Sequence, residues 1–125
     1  MAVILVVDDD DVLRQVTARI LEANGHEVYR AHSGFAALLV CQERERAVDL
    51  LMANERLADM TGWELFKLAQ STQPQARVMY VASDAAAESP RPVLRRPFSA
   101  EELLRAVSHH VEMPHPGGEN SGGEA

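Results

Sequence analysis

The feature that most constrains this chain is alternation. Through roughly its first hundred residues, short apolar runs of strand character give way to stretches of helical spacing and back again. Such alternation argues for a parallel sheet covered by helices on both faces, because parallel neighbours need a crossover and the crossover is usually a helix. Ile4 to Val7 form a continuous apolar run that stops at Asp8, as expected of a strand buried on both sides. Asp10 or Asp11 then caps a helix whose apolar positions Val12, Leu13, Val16, Ile20 and Leu21 keep helical spacing, and Asn24-Gly25 ends it. Glu27 to Ala31 read as a second strand, and Ser33-Gly34 opens a helix through Phe35, Leu38, Leu39 and Cys41 to about Arg46. Val48 to Ala53 make a third strand and Asn54 to Gly62 a loop, followed by an amphipathic helix through Trp63, Leu65, Phe66, Leu68 and Ala69 that stops before Pro74.

Arg77 to Ala82 are a fourth strand, and a short fifth is expected at Val93-Leu94. Ser99 with Glu102 makes a capping box for a last helix that turns Leu103, Leu104, Val107 and Val111 inward. Between Ser83 and Pro92 the alternation fails: no large apolar residue is present to anchor a helix, so a loop or a single turn is expected. From Pro114 the Gly- and Pro-rich sequence buries too little to order itself. The expected division is a domain over residues 1–112 and a disordered tail or linker over 113–125.

The formal charge of −7 repels phosphate backbones and anionic lipid, so direct nucleic-acid binding is not expected and protein partners are. No apolar run approaches the ~18 residues of a membrane span, and the apolar N-terminal run lacks the basic flank of a secretory signal. Cys41, the single cysteine, sits in an apolar helical stretch and reads as a buried inert thiol in a reducing, cytoplasmic setting. His109, His110 and His115 lack further ligands at metal spacing and read as an exposed helix end, and Glu43 to Arg46 read as a solvated charged face.

In an open parallel sheet, ligands bind beyond the carboxyl ends of the strands. The unusual residues gather there: Asp8 and Asp9 after the first strand, Asn54 after the third, Ala82-Ser83 after the fourth and Arg95-Arg96-Pro97 after the fifth. Two carboxylates at one strand end repel unless a cation joins them, which suggests an oxygen-ligand metal site or an arginine clamp.

Ile4-Leu5-Val6-Val7-Asp8-Asp9-Asp10, Gly25-His26 with Val28 and Ala31, Ser33-Gly34 with Ala37-Leu38, Asp49-Leu50, and Pro97-Phe98 with Glu102-Leu103 together resemble the response-regulator receivers, over about residues 3–112. The resemblance implies an α/β, doubly wound, flavodoxin-like fold with five parallel strands in the order 2-1-3-4-5. In such receivers two acidic residues and an acceptor aspartate hold magnesium, the aspartate attacks a phosphoryl group, and a hydroxyl and a lysine bind its oxygens. Asp8 and Asp9 match the acid pair. The acceptor position is Asn54, eight residues before Gly62 and five after Asp49. An amide forms no acyl phosphate and brings no negative charge to a metal.

Other positions of that circuit depart as well. The hydroxyl position aligns with Ala82, with Ser83 one residue on; the lysine is Arg96; the aromatic switch position is Val93; and the Met-Pro of the loop is Leu57-Ala58. The stretch between Ala82 and Arg96 is shorter than in the family by a helix's length, so the fourth helix is expected to be shortened or missing. Arg96 is expected to bridge to Asp8 or Asp9 and close the site, leaving magnesium weak or absent, and the Arg96-Pro97 bond resembles one that is often cis in the family.

The expected function is that of a degenerate receiver in two-component-type signal transduction. It would act by phosphorylation-independent protein interaction with a partner or an attached output domain, with a homodimer as a further option and no cofactor. One alternative is a phosphorelay receiver with a displaced acceptor at Glu55 or Asp59, whose side chains are expected to point away from Asp8 and Asp9. The other is a small haloacid-dehalogenase-like phosphatase, which Asp8-x-Asp10 with Ser83 resembles but whose late acidic motif is absent after Arg96; the chain is not expected to be an enzyme.

Overall fold

The computed structural model describes residues 1–43, 47–82 and 93–112. Strands β1 (Val3–Val7), β2 (Glu27–Ala31), β3 (Leu50–Asn54), β4 (Arg77–Ala82) and β5 (Val93–Arg95) form one parallel sheet in the order β2-β1-β3-β4-β5. Four helices lie among the described residues: α1 (Asp11–Ala23), α2 (Gly34–Glu43), α3 (Gly62–Ala69) and α4 (Ala100–Glu112). The architecture is the expected five-stranded parallel one. The expected loop over 83–92, Ser83 included, lies outside the described residues, as do Arg44 to Arg46 and the tail over 113–125.

Period-two alternation distributes the strand residues between two apolar layers. Ile4, Val6, Leu50, Met52, Met79 and Val81 face the layer of α1 and α4, where Ala18, Leu21, Leu103 and Val107 are buried. Leu5, Val7, Leu51 and Ala53 face the layer of α2 and α3, with Ala37, Cys41, Leu65 and Ala69. Because the central strands are covered on both sides, β1 and β3 are buried along their whole length. Cys41 is buried as expected, and desolvation raises the pKa of its thiol.

Local signals set the helix starts. The Asp10 side chain accepts from the Leu13 amide at 3.0 Å, so Asp10 and not Asp11 is the cap of α1. Ser99 and Glu102 close the expected capping box. Thr61 and Glu64 form a second complete box, which starts α3 one residue before Trp63; the Thr-x-x-Glu pattern that signals it is present in the sequence. Trp63 stands near the helix start with 40% of its surface exposed, and it packs against Phe66 under Lys67.

Two expectations are corrected. Strand β3 begins at Leu50 and not Val48, and it runs one residue further than expected, so Asn54 is its last member and lies opposite Val81. The cause is backbone pairing, since the Glu55 amide donates to the Val81 carbonyl at 2.8 Å and carries the ladder past Ala53. On α1, Val12 and Val16 are 69% and 50% exposed. The apolar stripe is wider than the surface that meets the sheet, which is made by Thr17, Ala18 and Leu21.

Candidate functional site

Strands β1 and β3 end beside one another, and the chain leaving β5 returns to the same mouth. There they border a crevice of about 630 Å³ lined by Asp8, Asn54 and Arg96 together with the apolar Leu13, Ile20 and Phe98. Asp8, Asp9, Asn54, Arg96 and Pro97 are therefore brought together as the sequence suggests.

Asp8 is the centre of the arrangement and is only 3% exposed. Its amide donates to the Ala31 carbonyl at 3.1 Å, which prolongs the sheet and fixes its position. One carboxylate oxygen, Oδ1, accepts from the Asp10 amide at 2.9 Å and from Asn54 Nδ2 at 3.3 Å. The other, Oδ2, pairs with the guanidinium of Arg96. A buried carboxylate needs such partners, because an unpaired charge at this depth is strongly unfavourable. Asp9, next along, is exposed.

Asn54 is 8% exposed and directs its amide nitrogen at Asp8. The reverse orientation would set an amide oxygen against a carboxylate oxygen, with no proton between them. Behind it, the Asn54 carbonyl sits where a side chain at position 62 would be: a Cβ on Gly62 would lie 2.5 Å from that oxygen. The loop is closed further by Gly62 N–H to Glu55 O at 2.9 Å and Leu57 N–H to Met60 O at 2.9 Å. The spacing between Asn54 and Gly62 is thus a backbone requirement of this loop.

Arg96 extends the β5 ladder by donating its amide to the Ala82 carbonyl at 2.9 Å. Its side chain is 13% exposed, and the Arg96-Pro97 bond is cis. Ala82 is buried at the end of β4, and Val93 is half-buried opposite Tyr80. Neither Glu55 nor Asp59 lines the crevice. Asp59 instead accepts from the Gly34 and Phe35 amides at 3.0 and 2.9 Å, capping α2, and those amides, Phe35 foremost, lower its carboxyl pKa.

Sequence reasoning missed Arg14. Its Nη1 donates to the Asp8 carbonyl at 2.8 Å and its Nη2 pairs with Asp11 at 2.6 Å. Position 14 is one turn into a helix headed by aspartates, and that spacing was the available signal.

Magnesium takes near-octahedral oxygen ligands. Here both oxygens of Asp8 are engaged, Asn54 offers nitrogen toward Asp8, and a guanidinium stands beside the carboxylate. Among the described residues no three His, Cys, Asp or Glu side chains gather to hold a metal. The residues as arranged do not fit the ion. Elsewhere, no helix among the described residues is long and apolar enough to cross a membrane.

Residues 4–108 match the response regulator receiver domain model. The chain is 33% identical over 129 residues to the response regulator protein FleR of Pseudomonas aeruginosa, covering 97% of this chain and 27% of FleR. It is 29% identical over 119 residues to the sensor kinase CckA of Brucella abortus, covering 89% of this chain and 13% of that protein. Against the response regulator receiver protein CpdR of Brucella abortus it is 28% identical over 112 residues, covering 83% of this chain and 92% of CpdR. The crystal structure of the receiver domain of hybrid histidine kinase CckA superposes with a TM-score of 0.78 at 31% identity, covering 88% of this chain and 99% of that one. The chain therefore spans about a quarter or less of the first two relatives.

Proposed function

Given that this chain belongs to the response regulator receiver family of two-component systems, we propose that it is a degenerate member whose signalling does not depend on phosphorylation. The observation that carries this reading is Asn54: at the acceptor position stands a buried amide hydrogen-bonded to Asp8, with no carboxylate to attack a phosphoryl group. Arg96 in the lysine position and Ala82 in the hydroxyl position support it, since both sit at the crevice end of the sheet without that chemistry. In this reading Asp8, Asp9, Asn54, Val93, Arg96 and Pro97 are vestiges of a phosphoryl site that now serve structure.

What remains is protein interaction. The domain over residues 1–112 docks a protein partner, or controls an output domain beyond a linker at 113–125, through a surface set by sequence; it works in the cytoplasm, without enzymatic activity, nucleic-acid contact or membrane contact, and a homodimer is compatible with it. A displaced acceptor is disfavoured by geometry, because Asp59 caps α2 and Glu55 does not line the crevice.

Mass spectrometry after incubation with acetyl phosphate and magnesium, beside an Asn54→Asp variant, tests the reading. No adduct is expected on the wild-type chain, and a phosphoryl adduct there would overturn the proposal.

A further inference from the structure

We infer that the guanidinium of Arg96 is a tethered cation standing in the place of the divalent metal, so that Arg96, and not Asn54 alone, keeps magnesium out of this crevice. The inference rests on the degenerate reading above and deepens it. Three observations meet at Asp8. Its Oδ2 is paired with Arg96 across 88 residues of sequence, with the two side chains 13% and 4% exposed. Its Oδ1 is filled by the Asp10 amide and Asn54 Nδ2. Its carbonyl holds Arg14 at 2.8 Å, so the backbone that carries it is fixed as well.

An ion entering here must first displace Arg96 from a nearly buried carboxylate. The charges explain why a guanidinium serves. A divalent ion is recruited by the repulsion of crowded carboxylates. In this crevice Asp8 is already compensated, and what is left for an ion is Asp9 and the α1 cap Asp10 at the exposed rim. Arginine keeps its charge across the working pH range and remains attached to the chain, so the compensation is permanent. It also ties the end of β1 to the residue following β5. The two ends of the sheet's mouth are held together at all times, where an exchangeable ion would hold them only when bound.

The consequence separates two residues that both depart from the family. Restoring the carboxylate by Asn54→Asp leaves Arg96 in place and yields little magnesium binding. Removing the guanidinium by Arg96→Gln exposes Asp8 and creates binding, most strongly when both changes are combined. Calorimetric titration of magnesium into the wild-type chain, Asn54→Asp, Arg96→Gln and the double variant reads this order. The double variant is expected to bind at least about tenfold tighter than Asn54→Asp.

Equal affinity of Asn54→Asp and the double variant would overturn the inference. If Arg96→Gln is too unstable to titrate, a rise in its melting temperature on adding magnesium supports the inference, and no rise in it or in the double variant overturns it. The two proposals fail separately. A phosphoryl adduct on the wild-type chain sinks the degenerate reading, whereas the ranking of magnesium affinities sinks or supports the role of Arg96.

Discussion

The mouth of the sheet has two walls that are held by different means, one by backbone and the other by side-chain charge. At β3 and the loop after it, the positions of Asn54 and Gly62 are fixed by amide-to-carbonyl bonds and by the absence of a Cβ. At β1 and the exit of β5, Asp8 and Arg96 are held by an ion pair between residues far apart in sequence. Backbone bonds are indifferent to most side-chain changes, so the β3 wall keeps its shape whether position 54 is a carboxylate or an amide. The β1–β5 wall has no such tolerance, because each charge leaves the other buried when it is lost. An amide in place of a carboxylate at position 54 is therefore compatible with an intact fold, whereas the charge at position 96 is bound to stability.

The largest effect is expected at the charged wall. Arg96→Ala leaves Asp8 buried without its counter-ion and is expected to cost about 3 kcal/mol in urea denaturation. A loss within the error of the method would show that water replaces the guanidinium and would remove the contrast between the walls. Gly62→Ala tests the backbone wall, since its Cβ meets the Asn54 carbonyl at 2.5 Å. A cost of about 2 kcal/mol is expected for the displaced loop, and the same measurement on Asn54→Ala is expected to give a smaller one.

Asp59→Ala removes the acceptor of two amides at the start of α2 and is expected to cost about 1 kcal/mol while leaving the crevice unchanged. The carboxyl pKa of Asp59 is lowered in the folded chain from its ordinary 3.8, so its contribution is present above that value and disappears as pH falls through the folded one. Acid titration of the variant against wild type should show the difference vanish at low pH.

The smallest effect lies at the opposite end of the sheet. His26 accepts the Ala2 amide on Nδ1 at 3.0 Å, and desolvation, with the N-terminal charge adding to it, lowers the pKa of the ring from 6.5. The unfolded chain then binds more protons below that value, so stability is fully present above about 6.5 and declines as pH falls toward the folded value. His26→Gln should flatten this slope in melting temperatures measured against pH. An unchanged slope would move the responsible group elsewhere, with the charged wall the next place to look.

Much of this was legible in the sequence for plain physical reasons. A strand buried on both faces must be continuously apolar, which marks Ile4 to Val7, and the third strand was legible as Val48 to Ala53 although its pairing begins only at Leu50. The resemblance to receivers, through its spacing to Gly62 and Asp49, locates Asn54, and the close approach of Gly62 to the Asn54 carbonyl supplies the physical reason for the first of those spacings. Capping signals lie within four residues, and Ser99 with Glu102 was read directly, while the equally local Thr61 with Glu64 was overlooked. Arg14 and Asp59 were not identified as partners. Arg14 reaches a carbonyl, which any residue provides, and Asp59 caps a helix that begins 25 positions earlier.

By itself, then, the sequence determined the alternating architecture, the strand ends where chemistry gathers, and the absence of a carboxylate at position 54. These follow from periodicity and from the covalent identity of one side chain. Which aspartate receives Arg96, and that Asn54 turns its nitrogen toward that same oxygen cluster, only the tertiary structure decided. Adjacent residues of an extended chain point to opposite sides, so the choice between Asp8 and Asp9 depends on where β5 returns, across 88 residues.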